Sequence, residues 1–477
     1  MQFQFSDIEL EILQTVAKAA KELDVQAYSV GGFVRDKLLH RPCKDIDIVC
    51  VGSGIDLAHK TADIFYREHH VKIKVAFFKN FGTAQLKWKD VEVEFVGARK
   101  ESYQRDSRNP IVEDGTLEDD QNRRDFTINA LAIHINNDNF GELIGPFNGI
   151  QDLENKIIRT PLAPHQTFND DPLRMLRAIR FASQLQFTIE PETLAAIEPL
   201  ADRLQIISME RIHVELNKII LSKTPSIGFK LLFQTKLLHR FFPEMVKLQG
   251  VSIQENYGHK DNFYHTLKVL DNISEKTDDL YLRWAAILHD IAKPRTQRFE
   301  EGHGWTFHGH EVVGARMVPK IFTKLKMPLD DRMKFVQKMV LLHLRPISLT
   351  KENITDSAIR RIIFEAGDDL ESLLLLCEAD ITSKNETKVK RYKENLKLVQ
   401  QRIKEVEERD HIRNWQPPIT GDIIMQAFAI KPSREVGVIK DSIKDAILDG
   451  IIPNDYDSAF QLMLQKGNEL GLTVFKG

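Results

Sequence analysis

One segment constrains the fold more than any other. Residues 27–51, AYSVGGFVRDKLLHRPCKDIDIVCV, read as strand, glycine pair, helix and strand. Side chains on a strand alternate with period two, so Asp45 and Asp47 in DIDIVCV share a face, their Cβ atoms about 7 Å apart. Two like charges at about 4 Å repel by roughly 4 kcal/mol at an effective dielectric of 20. A cation therefore belongs between them, and hard oxygen ligands suit Mg²⁺. The run VEVEF offers Glu94 as a third carboxylate. A DxD alone is also what a strand with one solvated face produces. The glycines in front of it add meaning: Gly31 and Gly32 let backbone approach a phosphate, and Arg35, one turn into the following helix, can fork onto it. Neither GxxxxGK[ST] nor GxGxxG is present. The combination points to a nucleoside triphosphate and a metal.

Residues 6–23 carry apolar positions at helical spacing (Ile8, Ile12, Val16, Leu23). From 27 to 145 short runs AYSV, DIDIVCV, VKIKVAF, TAQLKW, VEVEFV and LAIHI alternate with helical stretches, the pattern of a mixed α/β domain. Strand signals stop after GPFNGIQDLENKIIRT. Residues 169–240 then read as helices, among them DPLRMLRAIRFASQL and SMERIHVELNKIILS, and a second helical block follows at 262–383. Next comes a charged helix whose Val389, Tyr392, Leu396, Val399, Ile403 and Val406 are spaced 3, 4, 3, 4 and 3, a seam for docking on another helix, with the prolines at 417–418 expected to end it. A chain of 477 residues exceeds a single core. The expected architecture is α+β: a small mixed-sheet head (1–150), an all-α neck (151–240), a histidine-rich helical domain (241–385) and a helical tail (386–477).

The balance of 66 Lys+Arg against 69 Asp+Glu excludes a globally basic nucleic-acid coat but leaves room for a local basic groove. Cys43, Cys50 and Cys377 form no repeated spacing, which argues against a disulfide framework. The start, MQFQFSDIELEILQ, lacks a basic n-region and an apolar h-region, and no run of about 18 apolar residues occurs. A cytoplasmic protein is expected.

Three motifs in order carry a resemblance. VGGFVRDKLLHRPCKDIDIV resembles the head signature of the class II tRNA nucleotidyltransferases, the CCA-adding enzymes, and of the related bacterial poly(A) polymerases. LEDDQNRRDFTINALA is similar to that family's second motif and NDDPLRMLRAIRFA to its base-reading motif, so the likeness covers about residues 25–225. The resemblance implies a nucleotidyltransferase in which Asp45 and Asp47 hold the catalytic metals, supported by Glu94. It also implies that Gly32 and Arg35 hold the triphosphate, and that Arg124, Asp125 and Asn129 grip triphosphate and ribose, Asp125 accepting from a ribose hydroxyl. Asp171 and Arg174, three apart and read as neighbours on one helical face, take the base, with Arg177 close by and Arg180 continuing the stripe. Cytosine and adenine both present an amino donor beside a ring-nitrogen acceptor, and uracil and guanine reverse that order. A carboxylate next to a guanidinium matches C and A.

Seven of the sixteen histidines (His259, His265, His289, His303, His308, His310 and His343) lie between 259 and 343. His265 on one helix, His289 and Asp290 together in AAILHDIAKP, and Asp380 downstream give the order H…HD…D, which resembles the HD-domain metal-dependent phosphohydrolases. His and Asp ligands together fit a divalent transition ion. His310 and His343 are candidates for a second metal or for phosphate contact.

Residues 384–404 carry eight basic residues (Lys384, Lys388, Lys390, Arg391, Lys393, Lys397, Arg402 and Lys404) against two glutamates. They form either a solvated helix face or a surface for tRNA backbone. Near the end, AIKPS stands where related enzymes commonly carry GLKPG. The expected function is template-independent addition of CCA, or part of it, to tRNA from CTP and ATP. The alternatives are a poly(A) polymerase and an HD phosphohydrolase with an inert head.

Overall fold

The computed structural model describes residues 3–79, 82–102, 111–254, 257–258, 260–349, 355–383, 385–413 and 415–475. His259 and Lys384 lie outside them. The chain divides into two compact units, Met1–Val246 and Lys247–Gly477.

The first unit is built on a seven-stranded sheet: β1 (Ala27–Val30), β2 (Asp45–Cys50), β3 (Ala76–Phe78), β4 (Thr83–Trp88), β5 (Val91–Gly97), β6 (Ala132–His134) and β7 (Leu143–Ile144), in the order β3-β4-β5-β2-β1-β6-β7. The helix Asp7–Glu22, started by a capping box between Ser6 and Glu9, packs on the helix Gly54–His69, which in turn covers β4 and β5. Ile12, Val16, Leu57, Phe65 and Phe95 are fully buried in this layer. β2 runs antiparallel to β1 and parallel to β5, so Asp47 lies between Val30 and Glu94. Of VKIKVAF only the last two residues join a strand, Ala76–Phe78, which pairs with β4 at the sheet edge with exposed side chains. Beyond the sheet the unit is mostly helical, including Leu173–Leu185 and Met209–Ile220.

In the second unit the helices Asn262–Ser274, Leu280–Leu288, His310–Lys324, Asp331–Leu342 and Leu370–Asp380 pack around one another. The long helix Glu386–Asp410 buries Leu396, Val399, Ile403 and Val406 and packs on Asp356–Ala366, while Val389 and Tyr392 of the expected seam stay half-buried. It stops earlier than the proline pair, at His411, which turns left-handed (φ 50°). Arg402 reaches Asp356 at 2.6 Å, so one of the basic residues serves helix docking. Three tail helices close a small core of Ile424, Phe428, Ile439, Ile443 and Met463. Ala429 (φ 49°), the first residue of AIKPS, occupies the left-handed position just after the first of them. The three cysteines are unpaired, and no helix among the described residues is long and apolar enough to cross a membrane.

Candidate functional site

In the head, Gly31 follows β1 and caps the next helix, and its φ of +74° favours glycine. A Cβ there would stand 3.0 Å from the Arg124 guanidinium and 3.3 Å from Asp47 Oδ2, so glycine also makes room for those two side chains to face each other. Burial, opposed by Arg124 and reinforced by Glu94 and Asp45, pushes the Asp47 carboxyl up to about 6. Burial is the largest cause, and the two neighbouring acids add to it. Asp45 and Glu94 are exposed on the same face. Among the described residues the head acids do not close into a three-residue cage, so two carboxylates with a third nearby form an open site.

Behind Asp47 runs a network of arginines and acceptors. Arg35 donates to Asn129 Oδ1 (2.7 Å) and forks onto Asp36. Asn129 Nδ2 donates to Asp125 Oδ1 (2.9 Å), and Arg177 Nε donates to Asp125 Oδ2 (2.7 Å). Burial works against ionising Asp125, yet Arg177 and these donors hold its carboxyl down at about 2. Both oxygens of the residue expected to accept from ribose thus already accept from the protein. Arg35, Arg177 and Arg180 gather their guanidiniums 4.9, 5.5 and 4.0 Å from the centre of the Phe181 ring. Arg180 lies deepest, paired with Glu215 at 3.0 Å, and burial beside the other two cations lowers it to about 10. Each of the three guanidiniums also meets a carboxylate, Asp36, Asp125 and Glu215, so their charge is largely balanced within the protein.

The expected placement of Asp171 on a helical face is corrected. Pro172 precedes the helix Leu173–Leu185, and Asp171 is an extended residue between two helices whose Oδ1 accepts from the Leu173 N–H (3.1 Å). An aspartate directly before a proline avoids the helical region. Arg174 is oriented by two backbone acceptors, Thr167 O (3.4 Å) and Arg123 O. The sequence reading missed Asp120. Fully buried, it accepts from Arg123 and, at 2.8 Å, from Arg124, and so fixes both arginines of the second motif. Its spacing of three and four from those arginines on a helix was the available signal.

The second unit brings the histidine block to one point. Asp290 Oδ2 faces His289 Nε2 (3.2 Å) and His265 Nε2 (3.5 Å), and its Oδ1 faces His310 Nε2 (3.2 Å) and His343 Nε2 (3.9 Å). Asp380 Oδ1 stands 2.9 Å from His265. Two potential ligand sets, His265–His289–Asp290 and Asp290–His310–His343, therefore share one carboxylate. His289, His310 and His343 direct Nδ1 to the backbone carbonyls of Ala286, Phe307 and Val340 (2.8, 2.8 and 2.7 Å). This leaves their buried Nε2 atoms without a hydrogen-bond partner among the described residues. Orphaned imidazole lone pairs around carboxylates fit divalent ions. Burial, with the neighbouring His289, pushes His343 down to about 4 and keeps it neutral, whereas Asp290 and Asp380 overcome burial and raise His289 to about 10, so without an ion the centre holds one neutral and one charged imidazole. His303 and His308 stay outside both sets. Lys260, on the His265 Nδ1, and Lys293, on Asp290 (2.6 Å), were not anticipated.

The head geometry and the histidine–aspartate centre define a nucleotidyltransferase joined to an HD domain. Residues 27–159 match the "Poly A polymerase head domain", 186–248 the "Probable RNA and SrmB- binding site of polymerase A" and 262–385 the "HD domain". A "Multifunctional CCA protein" of Mannheimia succiniciproducens is 32% identical over 75% of this chain and 84% of its own length. An "A-adding tRNA nucleotidyltransferase" of Deinococcus radiodurans is 35% identical over 55% of this chain and 60% of its own. A tRNA nucleotidyltransferase solved with a primer tRNA and an incoming ATP analog is 25% identical, with a TM-score of 0.56 over 81% of this chain and 98% of that one. The Thermotoga maritima CCA-adding enzyme complexed with tRNA shares the fold at 20% identity, with a TM-score of 0.58 over 98% of this chain and 100% of that one. The chain belongs to the family of class II tRNA nucleotidyltransferases and bacterial poly(A) polymerases, in a form that carries an HD domain. Head and HD domain both imply dependence on divalent metal.

Proposed function

We propose that this chain adds C, C and A, or part of that triplet, to the 3′ end of tRNA in the cytoplasm, using CTP and ATP without a template. The observation that carries the reading is that Asp47 Oδ2, an Arg124 guanidinium nitrogen and the Asn129 carbonyl close on Gly31, with Asn129 tied into the Arg35–Asn129–Asp125–Arg177 network. Asp45 and Asp47, with Glu94 in support, would hold Mg²⁺, which when bound acidifies the attacking 3′-hydroxyl and neutralises the departing pyrophosphate. Backbone at Gly31 and Gly32 approaches the triphosphate, while Arg35, Arg124 and the Phe181 arginine cluster bind its charge. Asp125 braces Arg177 and Asn129 from below. Asp171 and Arg174 offer acceptor and donor to the edge shared by cytosine and adenine, and they leave uracil or guanine with unpaired polar groups.

The HD centre is read as an accessory phosphohydrolase site for a divalent transition ion, held by His265, His289, Asp290 and Asp380, with His310 and His343 as a second set. In domain terms, head (1–150), neck (151–240), HD domain (241–385) and tail (386–477) divide catalysis, base selection, hydrolysis and tRNA contact.

The test is product sequencing after incubating the purified chain with tRNA lacking its CCA end, CTP and ATP. Discrete CCA ends support the proposal, and a long A tract supports the poly(A) alternative. Addition of A only to tRNA already ending in CC would instead match the activity named for the Deinococcus relative, at 35% identity.

A further inference from the structure

The long helix Glu386–Asp410 presents two different faces. Leu396, Val399, Ile403 and Val406 are its buried face. Lys390, Lys393 and Lys397, spaced 3 and 4, share another and spread over about 10.5 Å of helix at about 1.5 Å per residue. All three are exposed, and among the described residues none is paired with an acid, whereas Arg402 and Arg409 further along are both taken by Asp356. The lysine row borders a trough. Lys390, Lys393 and Lys397 line a cavity of about 710 Å³. Lys393 also lines a cavity of about 790 Å³, with Tyr264, His265 and Lys268 of the helix Asn262–Ser274. The two cavities share Glu378, Ser383, Val389 and Lys393, so the trough runs from the His265 side of the metal centre along the lysine face. Either cavity alone has the size of a small-ligand site, and joined they exceed one. Of the acids around the trough, Glu378 pairs with Lys276 (2.5 Å), and Asp261 accepts from the backbone N–H groups of Gly250, Phe263 and Tyr264. Glu275, Glu386 and Glu394 stand against Lys260, Lys268 and the three lysines of the long helix, which leaves positive charge in excess. Tyr264, half exposed, offers a ring at the metal end. A row of cations with an aromatic ring is the pattern that tracks a single strand of nucleic acid.

We propose that the trough holds the end of a nucleic acid strand, its terminal phosphate ester at the HD centre and its inner phosphates on Lys393, Lys390 and Lys397. This rests on reading the HD centre as a phosphohydrolase. Tyr264 stacks the terminal base. Lys393, where the cavities meet, takes the first inner phosphate, and its neighbours Lys390 and Lys397 take those beyond. Water adds to the terminal phosphorus, the bond from phosphorus to the sugar oxygen breaks, and that oxygen leaves as a hydroxyl with a proton from the water, giving inorganic phosphate. The long helix thereby sets the chain-length preference of the HD centre.

The experiment measures inorganic phosphate released by the full chain in Co²⁺ from a nucleoside 3′-monophosphate and from the dinucleotide and tetranucleotide that end in the same nucleoside 3′-phosphate. Asp290→Asn should abolish release from all three, which assigns it to the HD centre. In the wild type kcat/KM should be about tenfold or more higher for the tetranucleotide than for the mononucleotide, and its logarithm should fall with log salt by about 2 more, at about 0.7 for each of three inner phosphates. Lys393→Gln should cut the tetranucleotide advantage and flatten that slope by about 0.7. Replacing Lys390, Lys393 and Lys397 together by Gln should bring the tetranucleotide down to the mononucleotide. Tyr264→Leu should raise KM for all three probes alike, because the terminal base is common to them. Lys320→Gln, an exposed charge of the helix His310–Lys324 that lines neither cavity, is the control and should keep the wild-type length ratio. Equal kcat/KM at every length in the wild type, or a fall of the same size for mononucleotide and tetranucleotide in the triple variant, overturns the trough and leaves the phosphohydrolase reading standing. No phosphate from any probe overturns both.

Discussion

Replacing Asp125 with asparagine tests the head network most directly, because the two side chains have nearly the same shape. Asp125 accepts from three donors: Arg177 on one oxygen, and Asn129 Nδ2 and the Phe126 N–H on the other. An asparagine must turn its NH₂ towards one of these sides and so bring donor against donor. The carboxyl is held at about 2 against an ordinary 3.8, which corresponds to roughly 2 kcal/mol in favour of the folded, ionised form. Leaving a buried donor unpaired costs about 1–3 kcal/mol, the same order. The sign is fixed: the folded value lies below the unfolded one, so this stabilisation is complete above about pH 4 and is lost as pH falls through about 2. Amide hydrogen exchange of the 126–135 segment in the full chain should show the loss at pH 6. If the same roughly 2 kcal/mol is lost from the proposed hold of the braced Arg177 and Asn129 on the triphosphate, kcat/KM should fall roughly 30-fold, equally for CTP and ATP, since those groups are not proposed to read the base. Unchanged protection, or a fall confined to one nucleotide, would refute the reasoning.

Other outcomes follow from the same geometry. Gly31→Ala forces an L residue to a φ of +74° and puts a methyl against Arg124 and Asp47, so single-turnover nucleotide addition should drop by about 100-fold. Asp47→Asn should abolish addition yet stabilise the metal-free protein at pH 7. The folded carboxyl, at about 6, is harder to ionise than an unfolded one, and after solvent screening the gain is about 1–2 kcal/mol, present above pH 6 and gone below about pH 4. For the same reason the Mg²⁺ concentration for half-maximal rate should rise between pH 7.5 and 5.5. Asp171→Asn, which keeps an oxygen for the Leu173 N–H but replaces an acceptor by a donor, should raise UTP and GTP incorporation by about tenfold or more in competition assays. Ala429→Gly should raise the melting temperature of the tail, since relief of a left-handed alanine contributes about 1 kcal/mol.

Much of the molecule was legible because its signals are local. Period-two runs marked β1, β2, β4 and β5, the glycine pair marked the turn that favours glycine, and motif order singled out Asp45, Asp47, Arg124 and the HD acids as candidates. What failed were elements whose state depends on distant partners. VKIKVAF has strand composition, yet most of it has no sheet neighbour. DPLRML has helical periodicity, but its proline excludes Asp171 from the helix, and the orientation of Arg174 comes from the carbonyls of Thr167 and Arg123, one of them 51 residues away.

The amino-acid sequence by itself determined the strand–glycine–helix–strand head, the chemistry of its acids and arginines, and the roster of histidines, because backbone sterics and side-chain type act within a few residues. Tertiary structure alone decided that Asp290 is shared by two potential ligand sets, that Asp125 is buried against Arg177 and Asn129, and that Lys260 rather than a carbonyl stands behind His265. Lys260 is five residues from that histidine in the chain and Thr382 is 117. Which hydrogen-bond partner an imidazole or carboxylate finds depends on chain segments brought together only by packing, and that partner sets whether the group gives or takes a proton.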